Sequence, residues 1–320
     1  MTARVFVTRR LIGLNRHWEQ VTLDVWEGHL PPSVIDLRAR STGCAGIITL
    51  LTDQIDADFI EASPGLKVIS QCAVGVNNID LAAATTRHIP VGHTPGVLTD
   101  ATADMAFALL LAAARNIVPG AAYASAGHWQ TWEPALLLGQ SVWGATLGII
   151  GFGRIGRAVA ARAKGFNMRV LVSSPHLGEV DASQADVTRT PLDELLQHSD
   201  FVSIHTPLLP ETRHLLDAAQ LALMKPTATL INTARGEVVN PAALVEALKM
   251  GRPAYAALDV TEPEPLPAGH PLYALPNCLI VPHLGSATQQ TRLAMTDMAM
   301  ANLLAGLRGD PLPYQANPWY

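Results

Sequence analysis

Residues 146–164 have the sequence TLGIIGFGRIGRAVAARAK, which is the clearest indication of the fold in this chain. Its apolar start predicts a buried strand, Thr146–Ile150. The next glycines, Gly151, Gly153 and Gly156, have the G-x-G-x-x-G spacing of a phosphate-binding turn, and a helical segment rich in alanine and arginine follows. A strand, a glycine turn and a helix in that order predict the first βαβ unit of a dinucleotide-binding fold.

The three glycines have separate roles in such a turn. Gly151 permits the tight bend, Gly153 lets the backbone approach a pyrophosphate, and Gly156 lets helix and strand pack closely. Backbone N–H groups at the helix start, around Arg154 and Ile155, would face the anion, and the helix dipole would favour its charge. Glycine-rich turns also occur without a ligand, but the flanking strand and helix favour a dinucleotide.

Short apolar segments alternate with helical segments along most of the chain, which predicts βαβ units and parallel sheets. Strands are predicted at Val5–Thr8, Gly46–Leu50, Lys67–Ser70, Thr146–Ile150, Arg169–Val172, Phe201–His205, Thr229–Asn232, Ala254–Leu258 and Cys278–Val281. Helices are predicted at Thr99–Arg115, Arg154–Lys164, Leu192–His198, Asp217–Met224, Ala242–Lys249 and Ser286–Leu307. The predicted fold class is α/β, with a Rossmann-type doubly wound parallel sheet inserted in a smaller flavodoxin-like α/β domain.

The glycine-rich turn lies in the middle of the chain, so the dinucleotide-binding domain is not the first domain. Residues 99–286 are predicted to form that domain. Residues 1–98 together with 287–320 are predicted to form a discontinuous substrate-binding domain. A chain of 320 residues also exceeds what one hydrophobic core usually organises.

Composition and charge exclude several classes of protein. The net charge is −5, and Lys and Arg are scattered, so no basic surface for nucleic acid is expected. The longest apolar run, Met105–Ala114, is too short to span a bilayer, and the N-terminus lacks an apolar signal. Cys44, Cys72 and Cys278 form no C-x-x-C pair, which favours reduced thiols. We expect a cytoplasmic protein without a nucleic-acid partner, membrane partner or metal site.

The strand after the glycine turn leads to Ser174, 18 residues beyond Gly156. Many NAD-binding domains have an acidic residue there, which binds the ribose 2′-hydroxyl. Without a carboxylate, a 2′-phosphate would not be repelled, and Ser174, His176 and Arg154 could donate hydrogen bonds to it. NADP(H) is therefore favoured, and NAD(H) stays possible because no arginine occupies the two positions after Ser174.

Arg235, Glu264 and His283 each follow a different predicted strand in the C-terminal half. Ligands bind outside the carboxyl ends of strands in open α/β sheets, so these three residues should converge. Any one of them alone would more often be structural or simply solvated. Their conjunction indicates a catalytic site.

Together, Arg235, Glu264 and His283 suit the reduction of a 2-keto acid. A guanidinium such as that of Arg235 can bind a carboxylate and polarise the keto oxygen. An imidazole such as that of His283 can donate a proton near neutral pH. A carboxylate beside it, from Glu264, would favour the protonated ring.

The chain resembles the D-isomer-specific 2-hydroxyacid dehydrogenase family. The matching stretches are GFGRIGRAVA, HTPLLPET, LINTARGEVV, AALDVTEPEPLP and VPHLGSAT. Further stretches are most similar to the glyoxylate/hydroxypyruvate reductases of that family: CAVGVNNID, TPGVLTDATADMAFALLLAAAR, HWQTWEPALLLG and NLLAGLRGDPLP. The resemblance covers nearly the whole chain and is weakest over the first 45 residues. It implies an NAD(P)-dependent enzyme that reduces a small 2-keto acid, such as glyoxylate or hydroxypyruvate, to the D-2-hydroxy acid.

The resemblance also implies roles for individual residues. The catalytic positions of the family match Arg235, Glu264 and His283, with His283 as the proton donor. Substrate contacts are implied for Leu51, Val74, Gly75, Val76, Arg235 and Trp132, the last reaching into the partner subunit of a homodimer. The expected cofactor contacts are Thr102, Gly151, Gly153, Arg154, Ile155, Gly156, Ser174, His176, Pro207, Thr233, Asp259, His283 and Gly285. Residues 116–145, with three of the six tryptophans, would form a dimerisation arm.

Three alternatives remain open from the residues. Another D-2-hydroxyacid dehydrogenase or a phosphite dehydrogenase would have the same fold. A non-catalytic dinucleotide sensor would have it too, although the intact Arg235, Glu264 and His283 favour an enzyme. A metal-dependent dehydrogenase is disfavoured, because no spacing of His, Cys and carboxylates suggests metal ligands.

Overall fold

The computed structural model describes residues 2–14, 18, 20–175 and 177–317. The chain divides into two compact units, Met1–Leu98 with Ala287–Tyr320, and Thr99–Ser286. All paired strands in both units are parallel. The predicted α/β fold class with two parallel sheets is confirmed.

The unit that contains both termini has a five-stranded sheet in the order β2-β1-β3-β4-β5. This is the strand order of flavodoxin-like folds. Its strands are β1 (Ala3–Val7), β2 (Val21–Val25), β3 (Gly46–Thr49), β4 (Val68–Gln71) and β5 (Val91–Gly92). Its helices are α1 (Val34–Ser41), α2 (Ala57–Glu61), α3 (Leu81–Thr86) and α11 (Gln289–Arg308). Buried side chains of the strands, such as Phe6, Ile47 and Ile69, form its core.

The helix α11 packs on this sheet although it comes from the far end of the chain. The Ser70 hydroxyl on β4 donates to the Ala299 carbonyl at 2.8 Å, between residues 229 positions apart. A Cβ on Gly46 would lie 2.7 Å from the Leu303 side chain, so β3 and α11 approach closely there. The C-terminal segment therefore completes the core of the first unit.

The other unit has a seven-stranded sheet in the order β12-β11-β10-β9-β6-β7-β8. Its strands are β6 (Thr146–Ile150), β7 (Arg169–Ser173), β8 (Thr188–Arg189), β9 (Phe201–Ile204), β10 (Thr229–Asn232), β11 (Tyr255–Leu258) and β12 (Cys278–Ile280). Its helices are α4 (Thr99–Ala114), α5 (Ile117–Ser125), α6 (Arg154–Lys164), α7 (Glu179–Ala185), α8 (Leu192–His198), α9 (Ala218–Leu223) and α10 (Pro241–Lys249). Two short 3-10 helices span Gly236–Val238 and Pro271–Ala274. The strand order reverses between β6 and β9, which is where doubly wound sheets bind ligands.

The strands β2, β5 and β8 differ from the sequence-based expectation, which did not include them. Within β2, Asp24 interrupts the apolar pattern, and its carboxylate is held by Arg4 at 2.8 Å and by Arg40. The strands β5 and β8 have two residues each, too few for a periodic signal.

Several helices also differ from the prediction. The C-terminal helix begins at Gln289 rather than Ser286, because the Thr288 hydroxyl accepts the Thr291 N–H at 3.1 Å and caps the helix. The helix α4 ends at Ala114, one residue before the predicted end. The helices α1, α2, α3, α5 and α7 were not predicted, and each has nine residues or fewer.

The segment from α5 to β6 exposes much apolar surface. Its tryptophans Trp129, Trp132 and Trp143 are 68%, 80% and 68% exposed, and Leu138 is 73% exposed. No helix or strand occurs between Ser125 and Thr146. In the described part of the chain, no single helix is long and apolar enough to cross a membrane; α4 and α5, bent by 60°, reach that length only as a pair.

Candidate active site

The glycine-rich turn between β6 and α6 leaves its middle glycine open. Gly151 has a φ of +90°, and a Cβ there would lie 2.7 Å from the His205 carbonyl. A Cβ on Gly156 would lie 2.3 Å from the Gly151 oxygen. Gly153 has no atom within 4 Å of such a position, and it precedes α6 without a side-chain cap. Packing explains Gly151 and Gly156, whereas the open space and the uncapped N–H groups at Gly153 fit a pyrophosphate.

The end of β7 lies next to this turn and carries no carboxylate. The Gly151 N–H donates to the Ser173 carbonyl at 2.9 Å, which ties the turn to the end of β7. Ser174 is half-buried, and Arg154 is exposed on the first turn of α6. His176, which was also predicted to contact the cofactor, lies outside the described residues.

The residues after β9 include a buried histidine that sequence analysis missed. The His205 N–H donates to the Ile150 carbonyl at 2.7 Å, and its ring Nε2 lies 2.8 Å from the Ser203 hydroxyl. Burial lowers the pKa of His205 to about 3, so the ring stays neutral. Its buried Nδ1 has no hydrogen-bond partner among the described residues. Pro207 is exposed, and nothing in the spacing of HTPLLPET distinguishes His205 from a surface histidine.

Asp259 organises the loop after β12. It is 2% exposed and accepts hydrogen bonds from the N–H groups of Leu284 at 2.5 Å and Gly285 at 2.7 Å. Burial raises the pKa of Asp259, and these two N–H donors oppose the rise. A Cβ on Gly285 would lie 3.0 Å from the Asp259 carboxylate and 3.5 Å from the methyl group of Thr102 on α4. The predicted cofactor residues Thr102, Asp259 and Gly285 thus lie together.

Of two further predicted cofactor residues, Thr233 and Ile155, the first has an environment that suits a polar ligand. Thr233 follows β10 and is 8% exposed. Its buried hydroxyl has no hydrogen-bond partner in the described part of the chain. Buried polar groups are usually paired, so an unpaired one at a strand end fits a bound polar ligand. Ile155 is half-buried and packs against the core below α6.

Arg235 is presented by a turn that Asn232 closes. Asn232 is 1% exposed; its Nδ2 donates to the Arg235 carbonyl at 2.8 Å, and its Oδ1 accepts the Ala234 N–H at 3.0 Å. Arg235 is half-buried. Burial lowers the pKa of Arg235, and the carboxylates of Glu264 and Glu237 oppose that change. An arginine still keeps its charge under such conditions. Asn232 was not predicted, because its role depends on the turn geometry.

His283 and Glu264 are in direct contact. The His283 Nδ1 lies 2.6 Å from Glu264 Oε1, and the second carboxylate oxygen accepts the Thr261 N–H at 3.4 Å. His283 has a φ of +52°, and its N–H donates to the Asp259 carbonyl at 3.0 Å. The two side chains are 30% and 41% exposed, so a ligand can reach them. The contact through Nδ1 leaves Nε2 as the nitrogen available to a ligand.

Arg235, Glu264 and His283 therefore lie together at the carboxyl ends of β10, β11 and β12. A carboxylate at Glu264 acts to raise the pKa of both Arg235 and Asp259. Among the described residues, no group of three or more His, Cys, Asp or Glu is arranged to hold a metal ion. The arrangement can hold an anion and supply a proton.

The other unit presents backbone groups at the predicted substrate positions. Leu51 follows β3, and Val74, Gly75 and Val76 follow β4. The N–H groups of these three residues donate to no backbone carbonyl in the part of the chain that the structure describes. The Gly75 carbonyl, in contrast, accepts Gln71 Nε2 at 3.3 Å. Successive unpaired N–H groups fit a carboxylate.

A network of side-chain hydrogen bonds holds the loops after β3 and β4 together. The Thr49 hydroxyl donates to Gln71 Oε1 at 2.6 Å, and Gln71 Nε2 donates to Asn78 Oδ1 at 2.8 Å. Asn78 Nδ2 then donates to the carbonyls of Leu50 at 3.0 Å and Asp53 at 2.6 Å. Sequence analysis missed this network, because polar residues at strand ends give no signal of mutual contact.

Comparison with known proteins extends this picture. Residues 107–285 match the family model of the D-isomer specific 2-hydroxyacid dehydrogenase NAD binding domain. A glyoxylate reductase from Korarchaeum cryptofilum is 48% identical over 320 residues, which covers 99% of this chain and 96% of the relative. The chain belongs to the D-isomer-specific 2-hydroxyacid dehydrogenase family.

Solved structures of other proteins agree with this assignment to the dehydrogenase family. The TT0316 protein from Thermus thermophilus superimposes with a TM-score of 0.92 at 50% identity, covering 98% of this chain and 99% of that one. An NADPH-dependent glyoxylate/hydroxypyruvate reductase from Sinorhizobium meliloti, solved with NADP and malonate, superimposes with a TM-score of 0.89 at 29% identity, covering 100% and 98%. The protein is thus an NAD(P)-dependent dehydrogenase, and the predicted family is confirmed. These comparisons support a nicotinamide dinucleotide as the cofactor and oxidoreductase activity on a 2-keto acid.

Proposed function

We propose that the protein reduces a small 2-keto acid, glyoxylate or hydroxypyruvate, to the corresponding 2-hydroxy acid, with the D configuration where the product is chiral. The observation that carries this proposal is the 2.6 Å contact between His283 Nδ1 and Glu264 Oε1, with Arg235 in the same cluster. A histidine paired in this way can hold a proton on Nε2 for delivery. The relative that is 48% identical is a glyoxylate reductase, which supports this class of substrate.

In the proposed mechanism, the protein's residues handle the charge and the proton. When bound, the reduced nicotinamide supplies a hydride to the keto carbon. His283 Nε2 donates its proton to the keto oxygen as that oxygen gains negative charge. Arg235 stabilises the developing charge, and Glu264 stabilises the imidazolium before the transfer. The products are the 2-hydroxy acid and the oxidised cofactor, with His283 left neutral.

Substrate binding is proposed to use backbone and side-chain groups. The unpaired N–H groups of Val74, Gly75 and Val76 would bind a carboxylate, and Arg235 would bind it or the keto oxygen. Leu51 supplies an apolar neighbour, which favours a small substrate. The proposal rests on the hydrogen-bond pattern of this loop and on the family resemblance.

For the cofactor, we propose a preference for NADP(H) over NAD(H). Ser174 stands where many NAD-binding domains have an acidic residue that would repel a 2′-phosphate, and the exposed Arg154 on α6 could donate hydrogen bonds to that phosphate. Replacing Ser174 with aspartate should shift the preference toward NADH by charge repulsion. The ratio of kcat/KM for NADPH to kcat/KM for NADH measures this, and an unchanged ratio would contradict the proposed role of the turn.

We also propose that residues 116–145 form a dimerisation arm. The exposed tryptophans and Leu138 make an apolar surface of the kind that monomers rarely leave uncovered. In a homodimer, Trp132 would reach the partner's substrate site, as the resemblance implies. Analytical sedimentation of the wild type and of the double variant Trp129→Ser, Leu138→Ser tests the proposed arm. A wild type that is monomeric at micromolar concentration would refute it.

The main experiment is a set of initial rates for NADPH and NADH oxidation with glyoxylate, hydroxypyruvate and pyruvate. We expect rapid turnover of the first two with NADPH and production of the D isomer, checked by chiral chromatography of the hydroxypyruvate product. No turnover of any 2-keto acid with either cofactor, despite cofactor binding, would overturn the proposed function.

A further inference from the structure

A second carboxylate–histidine pair lies two residues away from the first. Glu262, with a side chain 19% exposed, contacts His214 Nε2 through Oε2 at 2.6 Å. Its other oxygen, Oε1, accepts a hydrogen bond from Arg213 Nη2. Arg213 and Glu262 are 49 positions apart in sequence. We call Arg213, His214 and Glu262 the clasp.

The clasp connects the loop that carries Glu264 to the turn that carries Arg235. Through its side chain, His214 holds Glu262, two residues before Glu264. Through its backbone N–H, the same residue donates to the Glu237 carbonyl at 2.7 Å, two residues after Arg235. His214 thus forms hydrogen bonds to both segments of the proposed site.

The two segments also rest directly on each other. A Cβ on Gly236 would lie 2.0 Å from the Thr261 carbonyl, so the residue after Arg235 must be glycine for this approach. Within the loop, the Thr261 hydroxyl donates to the Pro263 carbonyl at 2.9 Å. A small displacement of either segment would therefore move Arg235 relative to Glu264.

The backbone of His214 is itself held in an unusual conformation. Its φ is +50°, in the left-handed region that non-glycine residues seldom occupy. Such conformations persist where the surroundings fix them, and they cluster at functional sites. The contacts to Glu237 and Glu262 are the surroundings that fix His214.

We propose that the clasp is a positioning device for catalysis: Arg213, His214 and Glu262 fix the distance between Arg235 and the Glu264–His283 pair. The clasp residues are positioning residues, because they act through Arg235 and Glu264. His214 cannot replace His283, since its Nε2 is already bound to Glu262. This inference rests on the proposed roles of Arg235, Glu264 and His283. Misplacement of reacting groups by about 1 Å can cost roughly 100-fold in rate.

Three variants test the clasp. His214→Asn removes the ring but retains a residue that tolerates a positive φ. Glu262→Gln removes the charge that holds both partners, and Arg213→Ala removes the more exposed partner, with a side chain 52% exposed. Glu246→Gln is the matched control, because it breaks an exposed pair with Lys249 at 2.8 Å on α10, outside the site.

The measurements are kcat and KM for glyoxylate, the dissociation constant of NADPH, the Tm, and the primary isotope effect with NADPH deuterated at the transferred position. We expect kcat/KM to fall about tenfold or more in the clasp variants, with NADPH affinity within about twofold. The isotope effect on kcat/KM should stay as large as in the wild type or increase, because the chemical step is slowed.

Two results would overturn the proposed positioning role of the clasp. The first is that all three variants match Glu246→Gln. The second is that kcat falls only in proportion to the loss of folded protein while KM does not change, which indicates stability alone. Both of these results can be obtained only if the wild-type protein is active on a 2-keto acid. A wild type without turnover on any 2-keto acid would instead overturn the proposed function, and the catalytic role of the clasp with it.

Discussion

The two sheets present different chemistry at the carboxyl ends of their strands. In the unit Thr99–Ser286, charged side chains project there, from Arg235, Glu264 and His283. In the other unit, the loop after β4 offers the N–H groups of residues 74–76, while uncharged Thr, Gln and Asn side chains hold its backbone. The first arrangement can move protons and charge; the second can only bind an anion.

This contrast predicts how each region responds to mutation. A charged side chain that takes part in chemistry has no substitute, so its loss lowers kcat. A backbone N–H survives almost any substitution at its own residue, and only the residues that fix the loop are sensitive. Four substitutions test this difference between the two units.

The largest effect is expected for His283→Ala. Removing the proposed proton donor should lower kcat by about 10²- to 10⁴-fold, the usual contribution of a general acid. Steady-state kinetics with glyoxylate measures kcat, and fluorescence titration should show that NADPH still binds. His198→Ala, at the exposed end of α8, is the control. Turnover within a few-fold of the wild type would remove His283 from the mechanism.

Arg235→Lys should have the next largest effect. Lysine keeps the positive charge but lacks the planar fork that binds a carboxylate through two hydrogen bonds. Loss of a charged hydrogen bond costs about 1.5–3 kcal/mol, so kcat/KM should fall roughly 10- to 100-fold. Both KM and kcat should change. If lysine were fully active, charge alone would explain the role of Arg235.

A smaller and different effect is expected for Thr49→Val in the other unit. Valine has nearly the same shape but cannot donate to Gln71, which loses the contact made at 2.6 Å. A loosened loop should raise KM for glyoxylate about fivefold, in line with about 1 kcal/mol for one hydrogen bond, and leave kcat unchanged. A fall in kcat with constant KM would show that this unit does more than bind.

Val74→Ala should have almost no effect. Its side chain is 36% exposed, and the substitution leaves the N–H in place. We expect kcat and KM within about twofold of the wild type, which is the range of a neutral surface substitution. An increase in KM as large as that of Thr49→Val would mean that the side chain, rather than the backbone, contacts the substrate.

Sequence patterns predicted the parts of the fold that depend on residues close together in the sequence. The strand β6, the glycine turn and α6 lie in one continuous stretch, and the structure has β6 and α6 at the predicted limits. The strand β8 escaped prediction because its two residues, Thr188 and Arg189, are both exposed. It becomes a strand only by pairing with β7.

The candidate site could be predicted only in part, for a similar reason. Arg235, Glu264 and His283 were identified because each follows a strand and matches a family motif, and their roles stay predictions. Asn232, His205 and the clasp were missed. Their importance depends on contacts between segments far apart in sequence, and such contacts leave no local pattern.

The unit formed by residues 1–98 and 287–320 is discontinuous in sequence, so its two parts are synthesised at different times. Its sheet is complete when Leu98 has been made, but α11 follows only after the 188 residues from Thr99 to Ser286. At about 5–20 residues per second, the ribosome needs roughly 10–40 s to make them. During that interval the apolar surface of β3 and β4 that α11 later covers is open to chaperones or to other nascent chains. We therefore expect the second unit to fold first, and the first unit to become stable only near the end of translation.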